Sequence, residues 1–357
     1  MISDKNKKLR QKKPKPLVRL KIKLKHSNIA SILHDCHQLW ESLTIQFTNL
    51  QGQSELEKDL PKKWEKHGDL ILLPQNCFTN PEWHEINKQA LWEAVAKYFG
   101  VERIAKKDRI CSDGHRTPQV SLLKGEDPWV CHVDNKIRYS YDVTKCMFSI
   151  GNITEKMRMA KLDCKDETIV DMFAGIGYFT LPLLVHGKAR YVHACEWNAD
   201  AIQALRKNLV DNKVVERCAV YEGDNRKVCP ENIADRVLLG LIPTAMESIK
   251  AACRALKIGS GGILHIHQNV ESKINKQNEY VAMENNISCN KSHVLTEWIF
   301  WAKETAQIVK NTMLEIYKEK SLKANIETQI IHIEKVKSYA PHIDHLVLDL
   351  KVITYRS

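Results

Sequence analysis

Apolar and polar positions change rhythm along the chain, and each rhythm predicts a different kind of structure. Residues 26–66 read as a helix-forming region with Ile29, Ile32, Leu33, Leu39 and Trp40 as apolar positions. Gly68-Asp69 leads into the unbroken apolar run Leu70-Ile-Leu-Leu73, bounded by Pro74, which predicts a buried strand. A helix is predicted over 83–99, opened by Asn80-Pro81 and stopped by Gly100. Between residues 110 and 148 lie short strand-like pieces, among them 130–133 and 137–139. Asp134-Asn-Lys136 joins these two as a hairpin turn that lacks a glycine. Residues 67–150 are thus expected to form a small α+β module.

From about residue 151 strands alternate with helices. Strands are predicted at 169–173, 191–195, 219–221, 237–241 and 263–268, and helices over 199–211, 244–256 and 292–318. Apolar, β-branched strands alternating with helices predict a mostly parallel sheet of the α/β class. Two further strands, 327–337 and 344–352, close the chain, joined by Ser338-Tyr-Ala-Pro341. The polar, Asn-rich stretch 271–290 reads as a surface loop. The expected organisation is a basic arm (1–25), a helical region (26–66), the α+β module (67–150) and an α/β domain (151–357).

Charge adds a partner class to this picture. The 357 residues carry a formal net charge of +11, and residues 1–25, with eleven Lys or Arg against Asp4, hold nearly all of it. A basic balance points to a polyanion, nucleic acid first and an anionic membrane surface second. The arm is either an RNA contact or a solvated localisation and solubility element. The N-terminus has no apolar core of a secretory signal, and no apolar run reaches the roughly 20 residues needed to cross a bilayer. Eleven cysteines without a single CxxC pair suggest neither a disulfide framework nor a zinc ribbon. Free thiols at that density fit the reducing cytoplasm or nucleus.

The chemistry concentrates at Asp171-Met-Phe-Ala-Gly175-Ile-Gly177-Tyr-Phe179, where a strand passes through a glycine turn into a helix. Gly175 and Gly177 permit positive φ and close backbone approach to a ligand. Thr180 stands where a third glycine of a dinucleotide fingerprint would fall, so the glycines alone are weak evidence. The acids downstream raise their weight. Glu196 ends the next strand, placed to bind ribose hydroxyls, and Asp224-Asn225 follow the strand after that. Any one of these fits a turn or a helix cap equally well. The ordered set converges on one crevice at the strand ends and resembles an adenosyl-cofactor site more than a phosphate site, because no Gly-Lys-Thr or Gly-Lys-Ser follows the glycines.

This first motif resembles that of class I S-adenosylmethionine-dependent enzymes. His193-Ala-Cys-Glu196-Trp-Asn198 and Gly223-Asp224-Asn225-Arg-Lys227 narrow the resemblance to the tRNA wybutosine-synthesizing protein 2 family, relatives of the tRNA guanine-37 N1-methyltransferases. Phe148-Ser-Ile-Gly-Asn152-Ile-Thr-Glu155-Lys156, Leu239-Gly-Leu-Ile-Pro243, His265-Ile-His-Gln-Asn269 and Lys337-Ser-Tyr-Ala-Pro341-His-Ile-Asp-His345 agree with it. The likeness runs from about residue 67 to 357 and fades in 1–66.

The resemblance implies a class I, Rossmann-like α/β domain with a C-terminal strand pair, preceded by a small α+β tRNA-binding module. It implies transfer of the 3-amino-3-carboxypropyl group of S-adenosylmethionine to C7 of 4-demethylwyosine at position 37 of phenylalanine tRNA, with release of methylthioadenosine. The sulfonium is already activated, so no metal is required, and no catalytic side chain is assigned. Cofactor contacts are implied at Ser149, Lys156, Asp171, Gly175, Gly177, Glu196, Asp224 and Asn225. Among them Lys156 would meet the methionine carboxylate, Glu196 the ribose, and Asp224 with Asn225 the adenine edge. His265 and His267 share one strand face and read as satisfied core or cleft histidines. The methyltransferase relatives carry an Asn-Leu-Pro type turn after the fourth strand; Gly240-Leu-Ile-Pro243 lacks the Asn, which argues against N1-methylation of guanine-37. A guanine-37 methyltransferase and a non-catalytic tRNA-binding protein with a vestigial pocket are the alternatives. A cytoplasmic monomer acting on the tRNA anticodon region, without membrane partner, is expected.

Overall fold

The run Leu70–Leu73 shows how the two halves of the molecule are joined. In the computed structural model, which describes residues 29–47, 50, 54–110, 118–148, 152–272, 288–291 and 296–356, all four of its side chains are buried. Side chains of a strand alternate between faces. Ile71 and Leu73 enter an N-terminal core with Leu39, Leu43, Leu91, Val95 and Ile104. Leu70 and Leu72, with Ala105, enter a second core that continues into the α/β domain through Val130, Tyr139, Ile169 and Leu183. A strand covered on both faces reads as a continuous apolar run for that reason.

The N-terminal unit contains α1 (Ile29–Gln46), α2 (Ser54–Lys58), β1 (Glu65–His67), β2 (Leu70–Leu73), α3 (Lys88–Phe99), β3 (Arg103–Ile110) and β4 (Pro118–Lys124). Its sheet has the order β1-β2-β3-β4. The helix expected over 83–99 is divided. Asn80 caps a 3₁₀ turn, Pro81–Glu85, and Asn87 accepts from the Ala90 N–H to start α3, so two caps seven residues apart break one helix. Gly100 ends α3 in the left-handed conformation (φ 58°).

A hairpin follows, β5 (Trp129–Asp134) and β6 (Ile137–Asp142), which packs against the α/β domain. Its turn residues Asn135 and Lys136 both take positive φ (47° and 66°), supplying the left-handed pair without glycine. Next come α4 (Ile153–Met159), β7 (Thr168–Asp171), α5 (Thr180–Val185), β8 (Tyr191–Glu196), α6 (Ala199–Asp211), β9 (Cys218–Glu222), α7 (Asn225–Val228), β10 (Arg236–Leu239), α8 (Ile249–Ala255) and β11 (Gly262–Glu271). The chain ends with β12 (Ser288–Cys289), α9 (Thr296–Glu319), β13 (Ala324–Ala340) and β14 (Ile343–Arg356). The helix expected over 244–256 opens as a 3₁₀ turn, Met246–Ser248, before α8. Most of the 271–290 stretch read as a loop, and the basic arm 1–25, lie outside the described residues; β12 falls inside that stretch.

The eight-stranded sheet has the order β12-β13-β14-β11-β10-β7-β8-β9. Strands β7 to β11 pair in parallel, and β14 joins β11 antiparallel. The chain steps outward from β7 to β8 and β9, then returns to β10 on the other side of β7. That reversal is a topological switch point, where ligands bind outside the strand ends. Among the described residues no helix is long and apolar enough to cross a membrane.

Candidate functional site: a cleft at the switch point

A cleft of about 200 Å³ opens at this reversal, lined by the residues that follow four successive parallel strands. Met172 and Phe173 follow β7, Glu196 and Trp197 close β8, Gly223 to Arg226 follow β9, and Leu241, Thr244, Ala245, Glu247 and Ser248 follow β10. The glycine turn has the conformation its sequence requires: φ is 55° at Gly175 and 102° at Gly177. A Cβ on Gly177 would stand 2.9 Å from the Leu181 side chain and 3.1 Å from Leu205, so the turn also packs too closely for alanine.

Glu196 organises the turn. Its Oε2 accepts the Gly175 N–H (2.7 Å) and its Oε1 accepts the N–H groups of Trp197 and Asn198 (2.9 Å each). A carboxylate offers about four lone-pair positions, so three amides fix this one and leave it one acceptor position. Asp224 caps α7 by accepting the Arg226 N–H (3.0 Å) and pairs with the Arg226 guanidinium (2.8 Å). That guanidinium holds the Asp224 carboxyl below its ordinary value. Asn225 also lines the cleft, but its amide is committed: Nδ2 donates to the Met172 carbonyl (2.9 Å) and Oδ1 accepts from Ser248 Oγ (2.9 Å).

Four expected contacts, Gly175, Gly177, Asp171 and Lys156, do not line the cleft. Asp171 is fully buried and does not line the cleft; it accepts from Thr180 Oγ1 (2.8 Å) and from the Phe173 N–H (3.3 Å). Burial raises its pKa to about 6, against the opposing pull of the Thr180 bond. The threonine in place of a third glycine is therefore the partner of Asp171. Lys156 is buried under the hairpin, not in the cleft wall. Its Nζ meets Asp134 Oδ2 at 2.6 Å and lies 4.7 Å over the Phe148 ring and 5.4 Å over that of Tyr139. Ser149 falls outside the described residues.

The structure adds residues that local reading missed. Asn208 on α6 is buried, donates Nδ2 to the Ile176 carbonyl (3.0 Å) and accepts the Ser140 N–H on Oδ1 (2.6 Å), tying the glycine turn to β6. Trp197, about half exposed, and Leu241 give the cleft apolar walls; a tryptophan directly after Glu196 was the available signal. Beneath α4 runs a buried chain of charges. Arg158 donates to Glu155 (2.8 and 2.7 Å) and to Asp349 on β14 (3.0 Å). Asp349 also accepts from His265 Nδ1 (2.6 Å), whose Nε2 faces Arg236, and Arg236 pairs with Glu167 (2.6 and 2.8 Å). Among the described residues no cluster of His, Cys, Asp and Glu could hold a metal ion.

A carboxylate with one acceptor position left, set between apolar walls at the switch point, fits an adenosyl group. Comparison with known proteins agrees. Residues 130–295 match the TRM5/TYW2 methyltransferase domain, and residues 49–128 match the TYW2 N-terminal domain. A crystal structure of Pyrococcus horikoshii TYW2 in complex with MeSAdo is 33% identical with TM-score 0.62, covering 89% of this chain and 99% of that one. One of M. jannaschii TYW2 in complex with AdoMet is 25% identical with TM-score 0.54, covering 82% and 99%. The Homo sapiens tRNA wybutosine-synthesizing protein 2 homolog is 48% identical over 332 residues, 86% of this chain and 73% of that protein. By that identity over most of both chains, this chain belongs to the tRNA wybutosine-synthesizing protein 2 family and is an S-adenosylmethionine-dependent transferase.

Proposed function

We propose that the protein transfers the 3-amino-3-carboxypropyl group of S-adenosylmethionine to C7 of 4-demethylwyosine at position 37 of phenylalanine tRNA. The observation that carries the reading is the convergence of Glu196, Asp224 and Asn225 at one switch-point cleft in a chain of this family. S-adenosylmethionine supplies a sulfonium with three electrophilic carbons, and which carbon reacts depends on which one is held toward the acceptor.

The residues divide the work of holding it. Glu196 takes the ribose hydroxyls with its remaining acceptor position, while Gly175 and Gly177 let the backbone approach. Asp224 meets the adenine edge, and Asn225 shapes that wall through its bonds to Met172 and Ser248. Asp171 acts one layer back, fixing the turn through Thr180. By resemblance, Ser149 and Lys156 hold the methionine end, where the Lys156 ammonium would exchange Asp134 for the methionine carboxylate. The N-terminal module and the α/β domain both touch the tRNA near the anticodon, and the arm 1–25 adds sequence-independent phosphate contacts. The protein acts as a monomer in the cytoplasm.

The by-product distinguishes this chemistry from methylation. With S-adenosylmethionine and tRNA bearing 4-demethylwyosine, methylthioadenosine is the expected product. S-adenosylhomocysteine alone would replace the reading with a methyltransferase, and absence of cofactor binding by calorimetry would favour a vestigial pocket.

A further inference from the structure

Two motifs that the cleft leaves unused, His265-Ile-His-Gln-Asn269 and Lys337-Ser-Tyr-Ala-Pro341-His-Ile-Asp-His345, meet in the sheet. Asn269 on β11 lies opposite His345 on β14, and Lys337 on β13 lies opposite His345 from the other side. Opposed residues of antiparallel strands share a face. Asn269, His345 and Lys337 therefore form a row across three strands, on the edge of the sheet where the cleft opens. The Asn269 N–H donates to the Pro243 carbonyl (2.8 Å), which ties the row to the turn after β10. The His267 ring lies 5.3 Å from that of Phe179, and a Cβ on Gly240 would meet Phe179 at 3.0 Å. The row thus lies beside the turn whose Leu241 and Thr244 line the cleft.

The histidines on this face are not equally satisfied. His265 has partners at both nitrogens, Asp349 and Arg236. His267 Nδ1 and His345 Nε2 stand 3.0 Å apart and share one proton between them. His345 Nδ1 is buried without a partner, and so is Oδ1 of Asn269 opposite it. Buried polar atoms without partners are rare enough that each requires a reason. With the proton on Nε2, donated to His267, the His345 Nδ1 keeps a free lone pair.

We propose that His345 Nδ1 takes the proton lost from the acceptor carbon, with His267 fixing the tautomer. The proposal rests on the function proposed above. In the step, a C7 π pair forms the bond to the methionine Cγ, and the Cγ–S bond breaks with its pair going to sulfur, giving methylthioadenosine. The tricyclic ring then carries the positive charge. Its C7–H pair returns to the ring and the proton passes to His345, leaving an imidazolium. A proton on so cationic a ring needs only a weak base. Burial, with Lys337 beside it, lowers His345 to about 4 and keeps it neutral. His267 is lowered well below its ordinary value by burial, with His345, Arg158 and His265 adding to the effect and Asp349 opposing it.

The test uses the full chain with tRNA bearing 4-demethylwyosine, protiated or deuterated at C7. His345→Gln is expected to lower kcat by about 10²–10⁴-fold, the usual worth of a positioned base. Methylthioadenosine affinity should stay unchanged, and a C7 deuterium isotope effect absent from the wild type should appear. An unchanged kcat, or a rate loss matched by lost methylthioadenosine affinity, overturns the assignment. Independently of any variant, ¹⁵N spectra of the histidine-labelled protein should show His345 protonated at Nε2 and bare at Nδ1 at neutral pH. Protonation at Nδ1 overturns it as well. Wild-type release of S-adenosylhomocysteine would instead overturn the underlying function, so the two failures are distinguishable.

Discussion

Replacing Arg158 by leucine removes the one cation shared by Glu155 and Asp349. Glu155 is fully buried and both of its oxygens accept from this guanidinium, so its carboxylate is left with no counter-charge. Removing one partner of a buried pair costs about 3–5 kcal/mol. Protonation sets a ceiling for Glu155. Burial already raises its pKa against the pull of Arg158, and without Arg158 the carboxyl can take up a proton. For a glutamate with an unfolded pKa of about 4.3, that uptake costs about 4 kcal/mol at pH 7 and about 1 kcal/mol at pH 5, at about 1.4 kcal/mol per pH unit. A folded pKa raised above the unfolded one means stability is regained as pH falls. Arg158→Leu should therefore lose about 3–5 kcal/mol at pH 7 and markedly less at pH 5, relative to wild type at each pH. Urea midpoints followed by tryptophan fluorescence measure both. The same loss at both pH values, or less than about 1 kcal/mol at pH 7, would refute the electrostatic account of this network.

Other consequences follow from the same geometry. Glu196→Gln places an amide NH₂ against backbone N–H donors and removes the ribose acceptor; calorimetry should show S-adenosylmethionine binding weakened about 10–100-fold, about 1.4–2.7 kcal/mol, and unchanged binding would contradict the assignment. Asp171, raised to about 6 in the fold, costs stability progressively as pH rises from about 4 through 6. Relative to wild type, Asp171→Asn should therefore be more stable at pH 8 than at pH 4, by up to about 3 kcal/mol; a pH-independent difference in urea midpoints would remove the buried-charge argument. Deleting residues 1–25 should lower the salt slope of tRNA binding by about 0.9 for each duplex phosphate the arm had neutralised, and an unchanged slope would make the arm a localisation or solubility element.

Features set by neighbours along the chain were legible in the sequence. The parallel strands read correctly because each is a short apolar run bounded by turn residues, and the positive φ at Gly175 and Gly177 because strand-to-helix turns have fixed chemistry. The break at Asn87 was hidden because a cap and a helix interior share the same apolar spacing on either side of it. Partners remote in sequence were not readable. Thr180 looked like a missing glycine until Asp171 lay beneath it. Arg158 and Asp349 lie 191 residues apart and meet only because β14 inserts beside β11. Asn208 looked like an ordinary polar residue of α6, yet it links the glycine turn to the hairpin. Lys156, placed at the cofactor by resemblance, is paired with Asp134 from the hairpin turn, a contact that no local pattern encodes.

The central claim concerns which carbon of the sulfonium is transferred, and isotopic labelling reads that directly. S-adenosylmethionine labelled in its carboxyl group and S-adenosylmethionine labelled in its methyl group would each be incubated with the protein and tRNA bearing 4-demethylwyosine. Carboxyl label entering the tRNA, with methyl label remaining in released methylthioadenosine, is the predicted result. Methyl label in the tRNA, with none from the carboxyl, would contradict it.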